Sequence, residues 1–103
     1  MKKSVVRDKS YTFALRIVRL YQYLTGEKRE FVLAKQVLRS GTATGALVHE
    51  AEQAESRADF VHKLSIALKE THETGYWLLL LKDAEYITPG MFESIDPDCS
   101  PRS

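Results

Sequence analysis

The sequence predicts an all-α fold of three long helices and a short fourth. Three observations carry that reading. Apolar residues recur at helical spacing over residues 10–24, 30–54 and 56–82. Helix-boundary chemistry separates these stretches: Thr25-Gly26-Glu27-Lys28, then Ser56-Arg57-Ala58-Asp59, then Thr88-Pro89. Finally, Pro97 and Pro101 cut the last helix short, because proline disfavours helix at the residue before it.

Taken in order, residues 1–9 read as a short arm whose apolar pair is Val5-Val6, packing as a strap or fraying. Ser10 is the expected N-cap of the first helix. Ala14, Ile17, Tyr21 and Leu24 form one apolar stripe, with Tyr11 and Val18 beside it. Phe13 and Leu20 extend the stripe to a second side, leaving Thr12, Arg16 and Arg19 as a narrow polar strip. A helix this apolar around its circumference is buried on more than one side. Gly26 is a candidate C′ residue.

The second helix holds the most informative stretch, Arg39-Ser40-Gly41-Thr42-Ala43-Thr44-Gly45-Ala46. It lacks any large apolar side chain, yet the period continues across it, from Phe31, Ala34 and Leu38 to Val48 and Ala51. Gly41 and Gly45 are four apart and share a face. Each costs a helix interior roughly 1 kcal/mol against alanine. Such a pair implies a continuous helix that a neighbouring backbone approaches closely. The alternative is a break at Ser40-Gly41.

On the third helix Phe60, Leu64, Ala67, Thr71 and Leu78 trace one face, with Val61, Leu68 and Gly75 alongside. Lys63, Lys69, Glu70, His72 and Glu73 are the wet side. From Tyr76 to Leu81 the helix is apolar in every direction, which demands a central position or a contact with another chain. Thr88 reads as an N-cap with Pro89 at N1 of a fourth helix carrying Met91, Phe92 and Ile95. The last stretch, residues 96–103, reads as a polar, disordered tail. The division is therefore an arm (1–9), a bundle (10–95) and a tail (96–103) within one domain of 103 residues.

Composition narrows the function. A formal net charge of +1 excludes a global basic field that would announce a nucleic-acid partner. The single cysteine, Cys99, excludes a disulfide framework within one chain and suggests a reducing cytoplasm. The N-terminus lacks a secretory apolar run, and residues 76–81 are too short to span a bilayer. His49-Glu50 begins like a zinc-protease HExxH, but Gln53 stands where the second histidine belongs. Neither Glu50, Glu70 nor Glu73 is followed by histidine three residues on, so the di-iron pattern fails too. No phosphate-cradling glycine loop follows a strand, and Cys99 has no base nearby in sequence. No catalytic residues, metal ligands or cofactor are expected. The remaining candidate is a modest basic patch of Arg16 and Arg19, Lys35 and Arg39, and Lys63. It would contact RNA or DNA phosphates if these helix edges adjoin or repeat around a ring. Alternatively these are ordinary surface charges, some paired with Glu30, Glu50 or Glu73.

Several motifs come in a recognisable order: residues 13–18 (FALRIV), then Leu38-Arg39-Ser40-Gly41-Thr42 with Gly45-Ala46. Residues 66–70 (IALKE) follow, with Glu73-Thr74 and Tyr76-Trp77-Leu78. This pattern resembles the bacterial four-helix-bundle proteins encoded in intervening sequences of 23S ribosomal RNA genes. That family includes the accessory variability protein of diversity-generating retroelements. The resemblance implies an antiparallel up-and-down four-helix bundle assembled as a homopentamer. It also implies, by way of the retroelement relative, binding to nucleic acid and to a reverse transcriptase through a basic surface. The fourth helix of this chain looks truncated beside the family's long one.

Two functions follow as expectations. One is a non-enzymatic, oligomeric accessory protein that binds nucleic acid; the other is a purely structural protein–protein interaction module. A short fourth helix cannot cover three long ones, so Phe13, Leu20, Tyr76, Trp77 and Leu80 are expected at a subunit interface, and the chain is expected to self-associate.

Overall fold

The computed structural model describes residues 5–96, which form four helices: α1 (Val5–Gly26), α2 (Val32–Glu52), α3 (Arg57–Asp83) and α4 (Pro89–Ile95). Among the described residues there is no strand. The helix α2 packs against both α1 and α3, antiparallel to each. Gly41 lies against Ile17 while Gly45 lies against Ser10, so α2 and α1 run in opposite directions. Likewise Ser40 bonds to Thr74 while Thr44 bonds to Thr71.

Each face of α2 has its own chemistry. Towards α1 it offers glycines. A Cβ built on Gly41 would lie 2.8 Å from two Ile17 side-chain carbons, and one on Gly45 would lie 3.2 Å from the Ser10 carbonyl oxygen. The helix is continuous through this stretch, as the shared glycine face implies. Towards α3 it offers hydroxyls. The Thr74 hydroxyl donates to Ser40 Oγ at 2.8 Å, and Thr44 and Thr71 share a hydrogen bond at 3.1 Å. Small side chains on both faces let three helices sit close together. Ile17, Leu24, Ala34, Val37, Leu78 and Leu81 fill the centre.

Local caps follow the sequence in two places. Ser56 Oγ accepts from the Asp59 N–H at 3.1 Å, and Thr88 Oγ1 accepts from the Met91 N–H at 3.0 Å. Elsewhere the structure differs. Residues 5–9 are not an arm: α1 begins at Val5, and Ser10 is a buried interior residue whose hydroxyl donates to the Arg7 carbonyl at 2.9 Å. That local bond satisfies Ser10 within a helix turn, so it need not start one. Gly26 is the last residue of α1 and has no positive φ; the left-handed residue of the turn is Arg29, with φ 56°. At α2 the Glu30 carboxylate accepts from the Leu33 and Ala34 N–H groups at 3.1 and 2.8 Å, so the helix starts at Val32 with a glutamate as its anionic cap. The tail beyond Asp96, including Cys99, lies outside the described residues.

The short α4 covers more than its length suggests. It runs back along α1, with Ser94 beside Arg16, and Lys82 Nζ sits 4.8 Å from the Phe92 ring centre. Ile87 and Ile95 join the core cluster, with Met91 and Phe92 packed against it. Consequently Phe13 and Leu20, expected on a wet stripe, are buried within the single chain at 5% and 4% exposure. For Leu20 the expectation failed because the turn at Ile87 brings Met91 and Ile95 of α4 over that side of α1; Phe13 lies beyond α4 and is sunk among residues of α1, α2 and α3, beside Val48 and Ala67.

Candidate functional site

The sealed part of the bundle ends where α4 ends. Beyond Arg16, towards the start of α1, the space between α1 and α3 is an open groove of about 780 Å³. Phe13 and Val6 of α1, Val48 and Thr44 of α2, and Leu64 and Leu68 of α3 line it. Phe13, Val48 and Ala67 are buried floor; Val6 and Leu68 are exposed walls. The Thr44 and Thr71 hydroxyls bond to each other and to the carbonyls of Ser40 and Ala67, so the polar atoms in the floor are satisfied. Charges stand at the rim: Asp8, Lys9 and Arg16. Such a surface offers apolar area and shape. It presents no nucleophile beside a base, and among the described residues no group of three or more His, Cys, Asp or Glu side chains could hold a metal ion.

Of the five basic residues, Arg16 and Arg19 line one pocket between α1 and α4. The Arg16 guanidinium donates to the Ser94 carbonyl at 3.0 Å and to the Ser94 hydroxyl, tying α1 to α4. Arg39 bridges to α3, pairing with Glu70 at 3.3 Å and with Glu73. Glu73 also accepts from the Trp77 indole N–H at 3.0 Å. The indole bond and then the Arg39 guanidinium hold the Glu73 carboxyl below its ordinary range, while Glu73 raises Arg39 further above its own. Lys63 lies 3.7 Å from both Glu50 and Asp59. Three of the five cations therefore serve contacts within the bundle. Arg19 on α1 and Lys35 on α2 are exposed and make no ion pair with any described residue.

The apolar end of α3 is divided as well. Tyr76 is exposed and meets Trp77 edge-on, with ring centres 5.1 Å apart; Trp77 and Leu80 are half-buried, and Leu78 and Leu81 are core. Leu79 is exposed as well. Sequence reasoning traced Leu64 along one face of α3 with Leu68 beside it and expected the short fourth helix to leave apolar area uncovered, but placed that area at Phe13, Leu20 and the Tyr76–Leu81 end. The signal for the groove was there in the length of α4: seven residues cannot span a face of 27. No helix among the described residues is long and apolar enough to cross a membrane.

Against known proteins, the family described as 23S rRNA-intervening sequence protein matches residues 2–101. Among solved structures, the chain is similar to a protein of unknown function from the S23 ribosomal protein family of Bacteroides thetaiotaomicron. The two share 61% identity over 92% of this chain and 88% of that one, with a TM-score of 0.91. No curated protein matches.

Proposed function

This chain belongs to the 23S rRNA-intervening sequence protein family, and within that family we propose that it is a non-enzymatic, self-associating helical module of the cytoplasm. The observation that carries the reading is the open α1–α3 groove, whose floor is apolar and whose polar atoms are already bonded. An apolar surface of this kind favours burial against another protein surface over turnover of a small polar substrate. Leu68 on its α3 wall is itself 52% exposed and adds apolar area to it. Light scattering across a dilution series tests the reading. The expected mass exceeds that of one chain and falls on dilution; a monodisperse monomer at every concentration overturns it.

Nucleic-acid binding, alone or beside a reverse transcriptase, is the second reading. Arg19 and Lys35 support it, as exposed cations that the bundle does not use. Two cations on different helices make a weak, salt-sensitive contact unless subunits repeat them. Fluorescence anisotropy with single-stranded RNA and duplex DNA at two salt concentrations decides it. Binding that weakens with salt and is lost in an Arg19→Glu, Lys35→Glu variant supports it. Absence of binding at both salts overturns it.

A further inference from the structure

A separate cleft of about 490 Å³ lies between α1 and α4 and shares only Arg16 with the α1–α3 groove. Its α1 wall is Arg16, Arg19, Leu20 and Tyr23, at i, i+3, i+4 and i+7, so all four stand on one helix face. The α4 wall brings Met91 and Ile95. Leu20 and Ile95 are buried and Met91 is half-buried, which makes the floor apolar. Small-molecule sites have this character, with volumes of roughly 300–1,000 Å³.

The two ends of the cleft differ. Arg16 and Arg19 stand at one end, a helix turn apart. Tyr23 stands seven residues beyond Arg16, about 10 Å further along α1. The Arg16 guanidinium is fixed at the edge by its bonds to the Ser94 carbonyl and hydroxyl. Arg19 is exposed and makes no ion pair with any described residue. No aspartate or glutamate lines the cleft, so both cations border an apolar floor without a carboxylate beside them in its lining. Because α4 runs back along α1 with Ser94 at Arg16, Gly90 belongs to the Tyr23 end. A Cβ built on Gly90 would meet only Thr88 Oγ1, at 3.8 Å, so the missing side chain leaves that end open.

We propose that this cleft binds a small amphiphilic acid, with its carboxylate at Arg16 and Arg19 and its apolar body lying over Leu20 and Met91 towards Tyr23. Arginine suits the head group, because its fork of N–H donors matches a carboxylate and keeps its charge. The body leaves water for side chains that are already apolar. A bare anion gains none of that burial and is screened by solvent at the cleft mouth. A neutral apolar molecule leaves both arginines unused. The cleft therefore selects a molecule that has both parts. It lies apart from the groove that carries the self-association reading, so neither depends on the other.

Octanoate is the probe, titrated into the isotopically labelled chain and followed by amide and methyl shifts in NMR spectra. Octanol supplies the body without the charge, and acetate the charge without the body. Octanoate is expected to give saturable shifts at Leu20, Tyr23 and Met91, with an affinity about tenfold above that of octanol, since hydrogen bonds to a charged group contribute on that order. Acetate is expected not to saturate. Arg19→Gln is expected to lower octanoate binding towards the octanol level while leaving octanol binding as it was. Gly90→Leu fills the Tyr23 end and is expected to weaken both. Residues 19 and 90 are exposed, and circular dichroism checks that each variant keeps its helicity. The proposal is overturned if octanoate fails to saturate or binds no more tightly than octanol. Wild-type octanoate affinity in either folded variant overturns it as well. Shifts that gather instead at Phe13 and Leu64 place the acid in the groove and exclude the cleft.

Discussion

Gly41 and Ile17 meet so closely that no side chain fits between them. A Cβ at Gly41 would stand 2.8 Å from both branches of Ile17, which is itself fully buried. The branched carbons cannot swing away, because β-branched residues in a helix keep essentially one rotamer. The glycine thus trades helix propensity for contact between α1 and α2.

A prediction follows for Gly41→Ala. Alanine gains roughly 1 kcal/mol of helix propensity over glycine, but overpacking a tight core costs about 1–3 kcal/mol. The clash involves rigid atoms, so the net change is expected to be destabilising. Gly41→Leu is expected to be worse, since the side chain has to push α1 and α2 apart. Urea melts followed by circular dichroism check the order wild type, Ala, Leu. A Gly41→Leu chain with the wild-type midpoint would show that the two helices separate at no cost.

The hydroxyl pair between α2 and α3 makes a second test. Thr74 Oγ1 lies 2.8 Å from Ser40 Oγ, and both residues are fully buried. Thr74→Val keeps the shape and removes the hydroxyl, leaving Ser40 without its interhelical partner. An unsatisfied buried polar group costs about 1–3 kcal/mol. Adding Ser40→Ala removes the orphan, so the double variant is expected to lose less than the two single losses combined. Strict additivity in the double-mutant cycle would deny the pair any coupling.

These two interfaces show what the sequence makes legible. Gly41 and Gly45 sit four apart within an unbroken apolar period, so their close approach to a neighbour could be read from spacing alone. The caps Ser56 and Thr88 were equally local. The position of α4 was not legible, because it depends on how the Tyr86-Ile87 turn seats Ile87 in the core, a tertiary event. Hence Leu20 was assigned to a wet stripe and proved to be core beneath α4, while Phe13, assigned with it, is buried by α2 and α3 instead. The partners of the basic residues were hidden for a similar reason. Spacing places Arg39 on an edge of α2, but only the packing of α2 on α3 brings Glu70 and Glu73 across from it.

The Arg39–Glu73–Trp77 contact predicts a pH dependence. The carboxyl of Glu73 titrates lower in the folded chain than in the unfolded one, first through the indole bond and then through Arg39. Its contribution is therefore complete above the unfolded value, about 4.3 for a glutamate. The contribution is lost as pH falls through the lower folded value. Solvent screens these half-exposed groups, so the contribution stays below about 1 kcal/mol. Comparing the melting temperatures of wild type and Glu73→Gln at pH 6 and pH 3 reads this out. The gap between them is expected to be larger at pH 6 than at pH 3. A gap that is unchanged at both values would mean that the charge of Glu73 contributes nothing.

The last prediction concerns how so short a helix stays in place. Isolated helices below about 12 residues are marginal in water, and α4 has only 7. Its order must come from contacts with the rest of the bundle. Ile95 is buried in the core cluster, Arg16 holds the Ser94 carbonyl at 3.0 Å, and Lys82 covers the Phe92 ring. Ile95→Ala removes the apolar anchor, and such truncations cost about 2–5 kcal/mol. If α4 unfolds only with the whole bundle, the entire melt shifts by that amount. If it opens by itself, the loss is local. Amide protons of α4 then exchange faster while those of Ile17 and Leu78 keep their protection. Either result exposes Leu20 to water. Arg16→Ala is expected to loosen the same helix more gently, because its bonds to Ser94 lie at the surface. Hydrogen exchange on both variants separates the two modes. Unchanged protection of α4 in Ile95→Ala, together with an unchanged melt, would show that the helix is held by something other than its core anchor.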